Sequence, residues 1–154
     1  MAKPTPSICT VDIQYASEAI AAKLHTIAPK TLIRQWINAA IGRSGEITLR
    51  FVNRAEGQAL NAQFRGKDYA TNVLTFPYQL SKHELVADIV LCLPVIAKEA
   101  REQHKTVQAH LAHLIVHGCL HALGYDHERD RQAKAMEGHE TAILKNLGFS
   151  NPYI

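Results

Sequence analysis

The sequence predicts a small α/β (α+β) fold: a mixed four-stranded sheet packed with helices, followed by a helical C-terminal part. Three observations lead there. Four short runs, residues 8–15, 47–51, 72–76 and 86–93, have the alternating or continuous apolar character of strands. Helical apolar spacing separates the first two runs. Beyond residue 93 only helical spacing remains.

Taken in order, residues 8–15 alternate loosely as a strand, and Leu32, Ile33, Trp36, Ile37, Ala40 and Ile41 then recur at helical spacing. Thr31 is the expected N-cap of that helix and Gly42 its stop. Ile47, Leu49 and Phe51 alternate with Thr48 and Arg50 as a half-buried strand, and Asn53 with Glu56 forms the signature of a capping box opening a short helix. Residues 72–76 read as a short strand ended by Pro77. Residues 86–93 are nearly all apolar, as in a strand buried on both faces. Pro94 suits the first turn of a helix to about His104, where His104 and Lys105 complement its dipole. Two more helices follow, at about 106–122 and 129–147, the second ended by Gly148.

The 154 residues, 47% hydrophobic and 20% charged, are enough for one core, so the expectation is a single domain over residues 1–154 rather than a disordered chain. The net charge of +3 is compatible with a polyanionic partner but too small to argue for one. Three scattered cysteines make a disulfide framework unexpected and fit a reducing compartment, which suggests the cytoplasm. The start of the chain has no signal-peptide core, and the longest apolar stretch, residues 85–97, is broken by Asp88 and Pro94, so no membrane segment is expected.

Nine histidines stand out, and the chemistry sits in the string from His117 to His127, HGCLHALGYDH. On a helix His117 and His121 share a face about 5–6 Å apart at Cβ, so both imidazoles reach one ion. Gly124 can take the left-handed conformation that ends the helix and returns the chain, bringing His127 back as third ligand. His110 and His113 share that side, but His113 lies about 12 Å along the axis from His121, too far for one zinc. His113 is therefore expected to line the cleft, to contact substrate or to stand behind a ligand histidine, while Cys119 points away into the core. His25, His83, His104 and His139 read as ordinary polar residues.

Three imidazoles and a zinc-bound water make a catalytic pattern, because structural zinc sites close all four positions with protein ligands. Zinc lowers the pKa of its water to about 7 and polarises a carbonyl or phosphoryl oxygen, so hydrolysis is the expected reaction class. The skeleton H-x-x-x-H-x-x-G-x-x-H resembles that of metzincin peptidases. The glutamate that serves as acid and base in H-E-x-x-H proteases is replaced by Gly118, which weakens a peptidase reading. A phosphodiester suits the site better.

The string HGCLHALGYDH, with FRGKDYATNVLTFPY and ADIVLCLPVIAKEA upstream and the ending LGFSNPYI, closely resembles the bacterial YbeY family of endoribonucleases. The resemblance covers about Phe64 to Tyr153, with modest departures at Thr75, Ala87 and Ala122. It implies a metzincin-like fold with a central zinc-binding helix and one Zn²⁺ per chain on His117, His121 and His127. It also implies single-strand-directed RNA cleavage in small-subunit ribosomal RNA 3′-end maturation and in ribosome quality control. The small ribosomal subunit and its assembly factors are the implied partners, with neither DNA nor membrane expected. The family's functional arginine falls on Arg65, whose guanidinium can hold a phosphate through two parallel hydrogen bonds and stabilise transition-state charge. Lys67 would add a backbone contact. Thr71 and Asn72 match the family as substrate contacts and equally suit turn chemistry. The base stays open: Asp68, Asp88 or Asp126 could orient an imidazole or the water, Asp126 competing as N-cap of the last helix. Met136 reads as core. A metallopeptidase and a non-catalytic ribosome-assembly factor with structural zinc are the alternatives.

Overall fold

The computed structural model describes residues 8–126 and 129–154. Its elements run β1 (Cys9–Tyr15), α1 (Glu18–Ile27), α2 (Lys30–Ile41), β2 (Ser44–Val52), α3 (Arg54–Arg65), β3 (Val73–Leu80), β4 (Glu84–Cys92), α4 (Leu93–Glu102), α5 (Val107–Ala122) and α6 (Asp130–Asn146). The sheet has the order β1-β2-β4-β3, with β1, β2 and β4 mutually parallel and β3 antiparallel to β4 at one edge. Parallel neighbours need crossover connections, and the helices between strands supply them. Among the described residues no helix is long and apolar enough to cross a membrane.

Side-chain alternation divides the sheet into two faces. Ile47, Leu49, Phe51, Leu85, Ala87, Ile89 and Leu91 form the main core with Trp36 and Ile37 of α2 and Leu111 and Ile115 of α5. A smaller cluster of Val52, Leu74, Val90 and Cys92 lies apart, with Leu60 of α3 packed against it. Met136 and Cys119 are core residues, as expected.

Several boundaries differ from the sequence expectation for physical reasons. The helix α1 was not anticipated: only Ile20 and Leu24 are buried on it, too few to print a period, and the cap bond from Ile20 N to Ser17 Oγ (3.2 Å) sets its start. The helix α2 begins at Lys30 with Pro29 as N-cap, not Thr31, because the proline already holds φ near −70°. Gly42 does end it, at φ +62°. The strand β3 does not stop at Pro77 but continues to Leu80, with a register irregularity between Pro77 and Gln79. An edge strand tolerates the missing N–H. The box at α3 is half formed: Asn53 Oδ1 accepts from Glu56 N (2.9 Å), while the Glu56 carboxylate takes two bonds from Arg50 instead. Lys105, just beyond the end of α4, donates its Nζ to Pro152 O at 2.7 Å. The N-cap of α6 is Arg129, not Asp126.

Candidate metal centre

The helix α5 starts where Thr106 Oγ1 accepts from Ala109 N at 3.1 Å, and it then runs buried along the sheet. Gly118 permits its close approach: a Cβ there would lie 3.2 Å from Ile89 Cγ2 and 3.3 Å from Val73 Cγ2. Position 118 therefore faces the sheet. The carbonyl of Gly118 accepts from Thr75 Oγ1 at 3.3 Å, fastening α5 to β3. After Ala122 the chain reverses as expected through Gly124 at φ +96°, with Gly124 N bonded to His121 O (2.9 Å) and Tyr125 N to Leu120 O (3.0 Å).

That turn orients one imidazole. His121 Nδ1 donates to the Tyr125 carbonyl at 3.1 Å, and His117 Nδ1 donates to Glu140 Oε1 of α6 at 2.5 Å. With both Nδ1 atoms committed as donors, the neutral rings carry lone pairs on Nε2, and the two Nε2 atoms face one another at 3.0 Å. Two ligands on a tetrahedral zinc at 2.0–2.1 Å stand about 3.3 Å apart, so this donor pair fits a divalent cation between them. The expected third ligand, His127, lies outside the described residues.

His113, His117 and Glu140 also bring ligand atoms within 4.8 Å of one another. Their separations, 2.5 Å from His117 Nδ1 and 2.9 Å from His113 Nε2 to the Glu140 oxygens, are hydrogen-bond lengths. His117 turns Nδ1 to this cluster and Nε2 to His121, so the cluster, which could itself hold a metal ion, also aligns the imidazole.

A cleft of about 650 Å³ opens in front of His117 and His121 and is also lined by Arg65, Thr71, Asn72, Phe64, Phe76 and Asp126. Arg65 is the last residue of α3, exposed, and Gly66 at φ +67° turns the chain away behind it. Asn61 is wholly buried, and its Nδ2 donates to Tyr69 O (2.8 Å), pinning the loop that follows. Lys67 is exposed on that loop, outside the lining of the cleft. The Asp68 carboxylate accepts from Gln58 Nε2 at 2.8 Å. The amide of Asn72 is used structurally, donating to Glu99 Oε1 (3.0 Å) and accepting from Val73 N (2.7 Å).

One expectation is overturned by the packing. Asp88 is not behind a metal histidine: it precedes Ile89, which packs under Gly118, so it points to the opposite face and accepts from Tyr78 Oη at 2.8 Å. His113 stands away from Arg65 and takes the place behind His117 that its position on the shared face allowed. It lies in a neighbouring cavity of about 370 Å³, bonded to Glu140, because its place one turn before His117 aims it at α6.

The sequence reading missed Glu140 and Tyr153. Glu140 is fully buried, and burial alone would raise its pKa, but bonds from His113, His117 and Tyr153 outweigh that and hold it at about 2. Tyr153 is pushed well above its ordinary value by burial and by the bond to Glu140. A signal for Glu140 did exist. With Met136 and Leu144 it repeats every four residues, which places a carboxylate on the apolar stripe of α6.

The family model described as Endoribonuclease YbeY matches residues 11–148. The Endoribonuclease YbeY of Polynucleobacter asymbioticus is 64% identical over 144 residues, covering 94% of this chain and 93% of that one. That of an Acidovorax species is 52% identical over 145 residues, covering 94% and 95%. The solution structure of the Thermotoga maritima protein TM1509 matches with a TM-score of 0.53 at 24% identity, over 93% of this chain and 98% of that one, a likeness of fold.

Proposed function

The chain belongs to the Endoribonuclease YbeY family, and from that premise we propose that it is a zinc-dependent endoribonuclease that cleaves single-stranded RNA in the cleft between α3, β3 and α5. One observation carries the reading: Arg65 lines the same cleft as the paired His117 and His121. Zinc, when bound, supplies Lewis acidity that draws charge from a phosphodiester and makes an attacking oxygen acidic at neutral pH.

The protein's own residues supply the rest. His117 and His121, aligned by Glu140 and by the Tyr125 carbonyl, hold the ion, with His127 as the third ligand. The Arg65 guanidinium grips two phosphate oxygens and stabilises the charge that develops on them. Asp126 brings a carboxylate to the same wall, where it can hold the proton given up by the attacking oxygen. Phe64, 58% exposed and edge-on to Phe76 at 5.2 Å, offers a ring face to an unpaired base, which favours a single strand over a duplex. The peptidase alternative has the opposite support: a glutamate at position 118 would be driven into Ile89 and Val73 rather than towards the ion.

The finer setting follows the family resemblance. The substrate is small-subunit ribosomal RNA at its 3′ end, handled with ribosomal partners in the reducing cytoplasm, where three buried free thiols persist. Zinc content and RNA cleavage test the reading together. His117→Ala is expected to lose both. Arg65→Ala is expected to keep one zinc per chain and lose about 10²–10³-fold in cleavage rate, the range for removing one charge-stabilising donor. Zinc retained with no RNA cleaved by the wild type would favour the assembly-factor alternative.

A further inference from the structure

Glu140 does more than receive one imidazole. Its Oε1 accepts from His117 Nδ1 (2.5 Å), while its Oε2 accepts from His113 Nε2 (2.9 Å) and from the hydroxyl of Tyr153. A buried carboxylate with only one oxygen engaged would be a half-satisfied anion, free to turn about its last torsion. Donors on both oxygens remove that freedom. One of them comes from the end of the chain.

The terminal segment is built to deliver that hydroxyl. Phe149 N bonds to Leu144 O (2.8 Å), and the Phe149 ring packs edge-on to Trp36 at 5.7 Å. Lys105 Nζ holds the Pro152 carbonyl at 2.7 Å, and Tyr153 N donates to Asn151 Oδ1 at 2.9 Å. The ring of Tyr153 meets that of His113 at 5.3 Å, nearly perpendicular. So a residue 45% exposed is held with its polar end on a carboxylate that is wholly buried.

We propose that Tyr153 is a positioning residue of the metal centre: through Glu140 it fixes the orientation of His117 and so sets the affinity for the ion, making the C-terminal segment a latch on the site. This rests on the reading of His117 as a ligand. Partners behind a ligand histidine change metal affinity by about 10–100-fold when removed. Glu140 is the direct partner and falls in that range. Tyr153 acts on it at one remove, beside His113, and the expected loss is smaller.

The test is the zinc affinity of the full-length protein, measured with Zn²⁺ alone in competition with a chelator of known affinity, without RNA. Glu140→Gln should weaken zinc by about 10–100-fold and Tyr153→Phe by roughly 3–10-fold, within the same scale. In the Glu140→Gln background Tyr153→Phe should add nothing. Tyr78→Phe is the control, since it removes a comparable tyrosine–carboxylate bond to Asp88 on the other face of the sheet, and it should leave zinc affinity unchanged. If Glu140→Gln does not fold, the isosteric Tyr153→Phe still decides. Wild-type zinc affinity in Tyr153→Phe, or an equal loss with and without Glu140, would overturn the proposal. A wild type that binds no zinc would instead sink the metal-centre reading on which it stands.

Discussion

His110 sits one turn before His113 and is 4% exposed, with Nε2 3.0 Å from Glu99 Oε1. Burial lowers its pKa below 6.5, and the bond to Glu99 opposes that only in part. The nearby charges of His113 and Lys105 reinforce the lowering. Because the folded value lies below the unfolded one, the unfolded chain takes up the proton first. Stability is therefore full above about 6.5 and declines as pH falls through that value. Urea unfolding of wild type and His110→Gln between pH 7.5 and 5.5 should show a steeper decline for the wild type. Parallel curves would mean that His110 is not the titrating group. At this scale the histidine pair was legible and its supports were not. His117, His121 and Gly124 stand at fixed local offsets, whereas Glu140 lies 23 residues from His117 and Tyr153 a further 13 along. Spacing reveals only neighbours on one helix. Asp88 misled for a related reason: an acid in an apolar strand signals a partner but not which face holds it.

Among the elements, the contact of α5 with the sheet matters most for the site, because it sets how deep the two histidines lie. Gly118 is a point of close approach, and its neighbours Ile89 and Val73 are β-branched and stiff. Gly118→Leu is expected to cost about 1–3 kcal/mol, as overpacking of cores does, even though leucine favours a helix. Thermal and urea unfolding would measure it, and an unchanged midpoint would mean that α5 does not rest tightly on β3 and β4. The strands were readable because their runs are apolar and short. The helix α1 was not, since two buried side chains leave no stripe. Proline is excluded from a central strand, and the edge position of β3 lifts that restriction at Pro77, which the sequence alone does not reveal.

For the molecule as a whole, the site gathers side chains from α3, β3, α5, α6 and the C-terminal segment, which come together only in the folded chain. An ion bound there stabilises the folded state by mass action, about 2.7 kcal/mol at free zinc 100 times the dissociation constant. For about 150 residues that raises the melting temperature by roughly 5–10 °C. Scanning calorimetry with and without zinc, and after chelation, checks this. A melting temperature indifferent to zinc would separate the histidine pair from any tight metal. The mixed architecture was readable from the order of strand-like and helix-like runs. The assembly of the centre was not, because it depends on where α6 and the terminal segment dock, and nothing in local periodicity encodes that.

The two described imidazoles differ in what holds them. His117 is aligned by the side chain of Glu140, and His121 by the main-chain carbonyl of Tyr125. A side-chain anchor is exposed to heredity: a single substitution deletes it, and a milder one retunes it. A carbonyl survives any replacement of the residue that carries it, provided the turn through Gly124 still closes. Variation in the alignment of His117 among related chains should therefore enter through the α6 and C-terminal side of the site, while the geometry of His121 passes unchanged with the fold.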